Sequence, residues 1–394
     1  MVARSSRDTQ RRNWRHHGRE CGTSDQSWRG LHRCERRGVE TQTGPRRSRV
    51  AALCTLFGAF ALIAPFNAVT SFAAPAINAA ETAANFEAAL NAYQDGKPLQ
   101  ALSLAKTSAR AGNSDAAVLA GHILRKGEAG SVNLTEARKW FEQGALKGHP
   151  DALVALGEMG LLQQAGLSHK DSLSYLLRAA ESGRTDAMRA LADMYRTGQG
   201  TQVNKAESEF WLRKAAQSFD SKGAKALGDS LFETDPEAAL AAYEQAANAG
   251  DIEAAYIAGV MYAENYDIRP NEQKSVNWLR MAAEGGHPAA MADYGLLVYQ
   301  GVASKPSQKE AAAWFQKSAQ KGDSEGQFLY AFTLAKGEGV TQNFEEAYFW
   351  VLKSIKSAET IQGSDLYDKD RETLRTGLEG RLSPETLSRV KARL

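Results

Sequence analysis

From Glu81 onward the apolar positions follow a helical spacing, and the pattern restarts roughly every 36 residues. A ladder of large side chains marks the period: Leu104, Trp140, Tyr175, Trp211, Tyr243, Trp278, Trp314 and Trp350. Its steps are 36, 35, 36, 32, 35, 36 and 36 residues. About nineteen residues before the rungs runs a small-residue column: Gly121, Gly157, Ala192, Gly228, Gly259, Gly295 and Ala331. Five positions earlier the chain is small again (Ala116, Ala152, Ala187, Gly223, Ala254, Ala290, Gly326). Three positions later come Leu124, Tyr195, Leu231, Tyr262, Val298 and Leu334. Offsets of −5, 0 and +3 share one helix face, so each repeat opens with a helix buried along that stripe. Glycine within a helix costs about 1 kcal/mol relative to alanine. Its return at one register predicts the close approach of a neighbouring helix backbone.

The ladder itself lies on a second helix. Seven residues before the rungs stand Asn133, Ser168, Asn204, Asn271, Ser307 and Asn343, residues whose side chains accept from the free N–H groups of a first helical turn. Glu136, Glu207, Glu310 and Glu346 follow three residues on, the spacing of a capping box. Pro98 and Pro236 open the two other second helices, after turns four residues shorter. Small pairs such as Ala179-Ala180, Ala215-Ala216, Ala246-Ala247 and Ala282-Ala283 come one turn beyond the rungs. A ring followed by alanines lets the next unit interlock, so the ladder reads as an internal spine.

Eight helix-turn-helix units result: 81–113, 114–149, 150–184, 185–220, 221–251, 252–287, 288–323 and 324–360. A fixed period of this size marks a solenoid. Residues 361–394 leave the pattern. Ser383-Pro384-Glu385 opens a final helix with Leu387, Val390 and Leu394 on one side, as a terminal cap requires.

Composition divides the chain. Residues 1–49 hold 13 Arg, no Lys and 5 acids, lack apolar periodicity and cannot bury a core. They read as an unprocessed leader or a start site placed too early, with a basic binding arm as the alternative. Arg46, Arg47 and Arg49 precede the apolar stretch Ala51–Ala64, and small residues follow at Ser71, Ala73, Ala74 and Ala76. This is the layout of a secretory signal peptide over 50–76. The apolar run is short for a span of about 20 residues, so an uncleaved inner-membrane anchor is second choice. All three Cys lie before residue 55. An exported chain left without thiols suits a periplasm, with no membrane span after signal cleavage. Without residues 1–49, the 48 basic and 46 acidic residues fall to 35 and 41. This net acidity argues against nucleic-acid binding.

No catalytic, cofactor or metal constellation stands out. His149 and His287 occupy equivalent repeat junctions, which is a turn position, and neither they nor His122 and His169 have zinc-site spacing. Ser103/Lys106 and Ser318/Lys321 are Ser-x-x-Lys pairs without the companion S-D-N and K-T-G motifs. Gly198-Gln199-Gly200 and Gly337-Glu338-Gly339 sit between helices, not after a strand. Asp365, Asp368, Asp370 and Glu372 read as a solvated helical face, because Thr373 stands where a calcium loop wants glycine.

The units resemble Sel-one-like repeats (SLR), relatives of tetratricopeptide repeats, over about 280 of the 394 residues. Gly337-Glu338-Gly339-Val340-Thr341-Gln342-Asn343 with Trp350 carries the match, as does Gly198-Gln199-Gly200 leading to Asn204, Trp211 and Ala215-Ala216. Asn or Ser replaces the usual Asp cap, and unit 221–251 has a shortened loop. The resemblance implies an all-α fold, a right-handed α/α superhelical solenoid. It also implies a non-enzymatic adaptor that binds a protein or peptide. Some exported members act as periplasmic regulators of sensor kinases or exopolysaccharide synthesis. A cell-wall enzyme or carbohydrate-binding protein is the alternative. In the related tetratricopeptide repeats, first-helix residues at offsets −3, +1 and +4 from the small column line the concave face. Carried over, these are Glu158, Arg189, Asp193, Lys225 and Asp229, then Tyr256, Val260, Leu296, Tyr299, Phe328 and Phe332. The strip turns from charged to apolar, which predicts a partner site toward the C-terminus. The competing expectation is that the C-terminal cap covers Phe328 and Phe332.

Overall fold

The computed structural model describes residues 79–263, 268–359 and 367–394. The basic segment, the signal-peptide reading and Asp365 lie outside the described residues. Eighteen α-helices, one 3-10 turn (Gln164–Gly166) and no strand occur among those residues. Sixteen helices form eight antiparallel pairs: α1 (Ala79–Gln94) with α2 (Pro98–Arg110), α3 (Ser114–Lys126) with α4 (Leu134–Leu146), α5 (Pro150–Leu161) with α6 (His169–Glu181), and α7 (Thr185–Thr197) with α8 (Lys205–Gln217). They continue with α9 (Ser221–Leu231) and α10 (Pro236–Asn248), α11 (Ile252–Ala263) and α12 (Glu272–Glu284), α13 (Pro288–Gln300) and α14 (Gln308–Gln320), and α15 (Ser324–Lys336) and α16 (Phe344–Glu359). The pairs stack in chain order as a right-handed α/α solenoid, and α17 (Asp368–Glu379) and α18 (Pro384–Lys391) close its end.

The small-residue column has a different cause from the expected one. A Cβ on Gly121 would lie 2.5 Å from the Phe141 ring, on Gly157 2.5 Å from Leu176, on Gly259 2.8 Å from Leu279, and on Gly295 2.7 Å from Phe315. The occupant is thus a side chain of the same unit's second helix, not a neighbouring backbone. These knobs stand eight residues after the caps and are buried, whereas Trp140, Tyr175, Trp278, Trp314 and Trp350, one residue earlier, are half-buried. Among the tryptophan rungs only Trp211, 8% exposed, joins the core. The spine therefore runs one residue beyond the rungs. Cations lie over several half-covered rings, Lys317 4.2 Å from the Trp314 centroid and Lys353 5.0 Å from that of Trp350.

Unit 221–251 explains the 32-residue step. Asp235 caps α10 by accepting from the Ala238 N–H, with Pro236 as the first helical residue. Counted from that cap, Tyr243 is the knob, and it fills the space over Gly228 at 2.7 Å. The rung position belongs to Ala242. The shortened turn moved the cap, and the aromatic followed the core position.

Asn133, Ser168, Asn204, Asn271 and Ser307 cap their helices. The reciprocal box closes at Ser168 and Asp171, not at Glu136, which is held by Lys106 at 2.6 Å and Trp140 Nε1 at 3.3 Å. The side chain ten residues after some caps clamps the previous unit. Gln143, Arg178 and Gln245 donate to the carbonyls of Ala109, Ala145 and Ala216 at 2.6, 2.7 and 2.6 Å.

Candidate partner interface

First helices of successive units pack directly on one another at α1–α3, α5–α7, α7–α9 and α13–α15, whereas second helices do so at α8–α10. The first helices thus crowd toward the inner side of the stack.

In the middle of the predicted strip the charges are tied to structure. Arg189 does not pair with Asp193. Its Nε donates to Asp220 at 2.9 Å, and Asp220 is the cap of α9. Asp193 pairs instead with Arg196. Glu158 accepts from Arg125 of the preceding unit at 2.7 Å, and Lys225 pairs with Asp229 at 3.1 Å.

Toward the C-terminus the predicted strip divides. Tyr256 is 9% exposed and stacks on His287 with centroids 4.2 Å apart. Phe328 is buried, 5.0 Å from Tyr367 and 5.9 Å from the Arg371 guanidinium. The cap therefore covers Phe328, but Phe332 stays half-buried with Lys336 5.6 Å over its ring. Val260, Leu296 and Tyr299 are also half-buried. Burial and the nearby Glu338 push the Tyr299 phenol up to about 12. It stays protonated and donates to Glu338 Oε2 at 2.8 Å. The accessible apolar strip is thus Val260, Leu296, Tyr299 and Phe332.

Candidate catalytic groups have structural roles. His149 Nδ1 accepts from the Asp151 N–H at 3.2 Å, so its Nε2 carries the proton and donates to Asp115 at 2.9 Å. His287 does the same between Ala290 and Glu253. Each histidine caps one first helix and ties it to the first helix of the previous unit. Ser318 is buried and donates to the Pro288 carbonyl at 2.8 Å, while Lys106 is spent on Glu136. Among the described residues no group of three His, Cys, Asp or Glu is placed to hold a metal. Among them, also, no helix is long and apolar enough to cross a membrane.

Paired helices stacked into a solenoid, with an accessible strip on the inner helices, define a repeat protein of the kind used for protein–protein interaction. The family model described as Sel1 repeat matches residues 114–149, 185–218, 226–251, 252–287, 288–323 and 324–358. These spans exceed half of the chain, and the chain belongs to the Sel1 repeat family. Its structure is similar to that of a Sel1 repeat protein from Oxalobacter formigenes, with a TM-score of 0.58 and 23% identity. The match covers 75% of this chain and 87% of that one, and the likeness is one of fold. The chain is also 27% identical over 163 residues to an uncharacterized protein of Neisseria meningitidis serogroup B, a match covering 41% of this chain and 34% of that protein. It thus spans about a third of that relative's length.

Proposed function

We propose that this Sel1-repeat chain is a non-enzymatic scaffold that holds a protein or peptide against the inner face of its C-terminal units. The observation that carries the reading is the half-buried, still accessible strip Val260, Leu296, Tyr299 and Phe332. Val260, Leu296 and Tyr299 pack in part against the core yet keep a share of their surface in solvent, as Phe332 does, and accessible apolar side chains serve partners. We further propose a periplasmic setting, supported by the charged, apolar and small-residue succession over 46–76. We also propose envelope or exopolysaccharide regulation as its setting, on the family resemblance alone.

An acid-catalysed cell-wall activity would want a carboxyl held protonated near neutrality. The shifts here run the other way. Hydrogen bonds from Lys106, Ser168 and Arg389 hold Glu136, Asp171 and Glu345 below the ordinary carboxylate range.

In vivo cross-linking tests the scaffold reading. Wild type and the Tyr299→Ala/Phe332→Ala double variant are cross-linked, and the attached proteins identified. The expected result is loss of specific adducts with circular dichroism unchanged. Identical adducts from both proteins would exclude the inner face. Amino-terminal sequencing of the chain recovered from a periplasmic extract tests export.

A further inference from the structure

The turns between units share one backbone shape. Gly112, Gly148, Gly183, Gly250, Gly286 and Gly322 take left-handed φ values from 75° to 98° there. Between α8 and α9 the residue is Phe219, at φ 59°. A side chain with a Cβ is strained in that region, and such strain persists where something else depends on the residue. Packing does not, since Phe219 is 87% exposed.

Phe219 lines a cleft of about 650 Å³ together with Asp220, Ala224, Ala241, Glu244 and Gln245. Ala224 stands four residues after its cap, where four units place the larger Leu153, Met188, Met291 and Gln327 and two place alanine, Ala117 and Ala255. Two carboxylates face this cleft, but they are not equivalent. Asp220 is spent on Arg189 and on the N–H groups of Lys222 and Gly223. Glu244 is fixed through one oxygen: Tyr262 Oη at 2.7 Å, Trp278 Nε1 at 3.3 Å and Lys274 Nζ at 3.7 Å all converge on Oε1. Oε2 receives none of them. The cleft therefore pairs an oriented carboxylate oxygen with an exposed aromatic face, on a solenoid whose charged residues are acidic in balance.

We propose that this cleft docks a basic stretch of a partner polypeptide, with an arginine or lysine side chain set between the Phe219 ring and Glu244 Oε2. An aromatic face attracts a cation, the second oxygen of a half-buried carboxylate whose first oxygen is taken by Tyr262, Trp278 and Lys274 accepts from its N–H groups, and net acidity steers basic segments toward the surface. The cleft is formed by α9, α10 and the turn before them, so it is separate from the strip on α11, α13 and α15.

The test is fluorescence anisotropy with the full chain and three fluorescein-labelled peptides of one length, carrying two arginines, two citrullines or two glutamates. The arginine peptide is expected to bind, more weakly as salt rises. The citrulline peptide should bind at least about tenfold more weakly, and Phe219→Gly and Glu244→Gln should each weaken the arginine peptide about tenfold. Phe219→Gly should leave the melting temperature unchanged or higher, because the turn then matches its six counterparts. Phe332→Ala should leave peptide affinity unchanged even if it abolishes the inner-face adducts. Four results would overturn the proposal: no binding of the arginine peptide, equal binding of the citrulline peptide, full affinity in both cleft variants, or a lower melting temperature for Phe219→Gly. Spermine binding without peptide binding would likewise replace the polypeptide with a small polyamine.

Discussion

Gly121 and Gly377 both lie inside helices, and the same substitution should move them in opposite directions. A Cβ at Gly377 meets nothing within 4 Å, so Gly377→Ala should stabilise by up to about 1 kcal/mol through helix propensity. At Gly121 the Phe141 ring already fills the space, and Gly121→Ala should destabilise by about 1–3 kcal/mol through overpacking. Chemical denaturation of both variants checks the sign. His122 offers a pH test. Burial, then the neighbouring Arg125 and Lys126, lower its pKa from 6.5, and the ring lies edge-on to Phe141 at 5.1 Å. A depressed histidine stabilises fully above its unfolded value and loses that contribution as pH falls through 6.5 toward the folded value. The loss between pH 7.5 and 5.5 should be smaller in His122→Phe, measured by thermal melts at each pH. The glycine column is visible in the chain. What fills it is not, because the knob lies about twenty residues away and is identified only when the two helices are superposed.

Each unit is an element pair set by its caps. Asn204 Oδ1 accepts from the Glu207 N–H at 3.2 Å. Asn204→Ala should cost about 1 kcal/mol, and Asn204→Asp should restore most of it. Stability curves of the two variants distinguish the lost cap from a general surface effect. The capping residues were readable from the repeat, apart from Asp235. There the aromatic tempted alignment on the ring, whereas the structure aligns on the cap. The cue was present in the chain: Ala246-Ala247 lies three and four residues after Tyr243, but Ala215-Ala216 lies four and five after Trp211. The Gln143, Arg178 and Gln245 clamps had no such cue, since polar residues on a helix surface look alike until the next unit is in place.

The molecule is a one-dimensional stack, so its ends decide how unfolding begins. The cap is bonded to the last unit through Tyr348 to Glu379 at 2.8 Å, Arg371 to Ser354 at 2.6 Å, and Arg389 to Glu345 at 2.8 Å. Removing residues 361–394 should expose Phe328, Tyr348 and Val351. Hydrogen exchange should then rise in α15 and α16 while α3 and α4 keep their protection, and an apolar dye should bind. Uniform exchange along the chain would mean that the stack unfolds as one cooperative block. The same linear order leaves an apolar strip on the first helices and a cleft at one turn open along its surface.

Periodicity, caps and small-residue columns are properties of short stretches, so the chain alone specified the helix pairs, their number and the solenoid. Contacts between units join residues some 30 positions apart and depend on how each pair settles on the last. For that reason only the folded stack showed that the core runs beside the tryptophans, that Arg189 reaches Asp220, and that the cap takes Phe328 but leaves Phe332. It also showed an exposed Phe219 where every comparable turn has glycine.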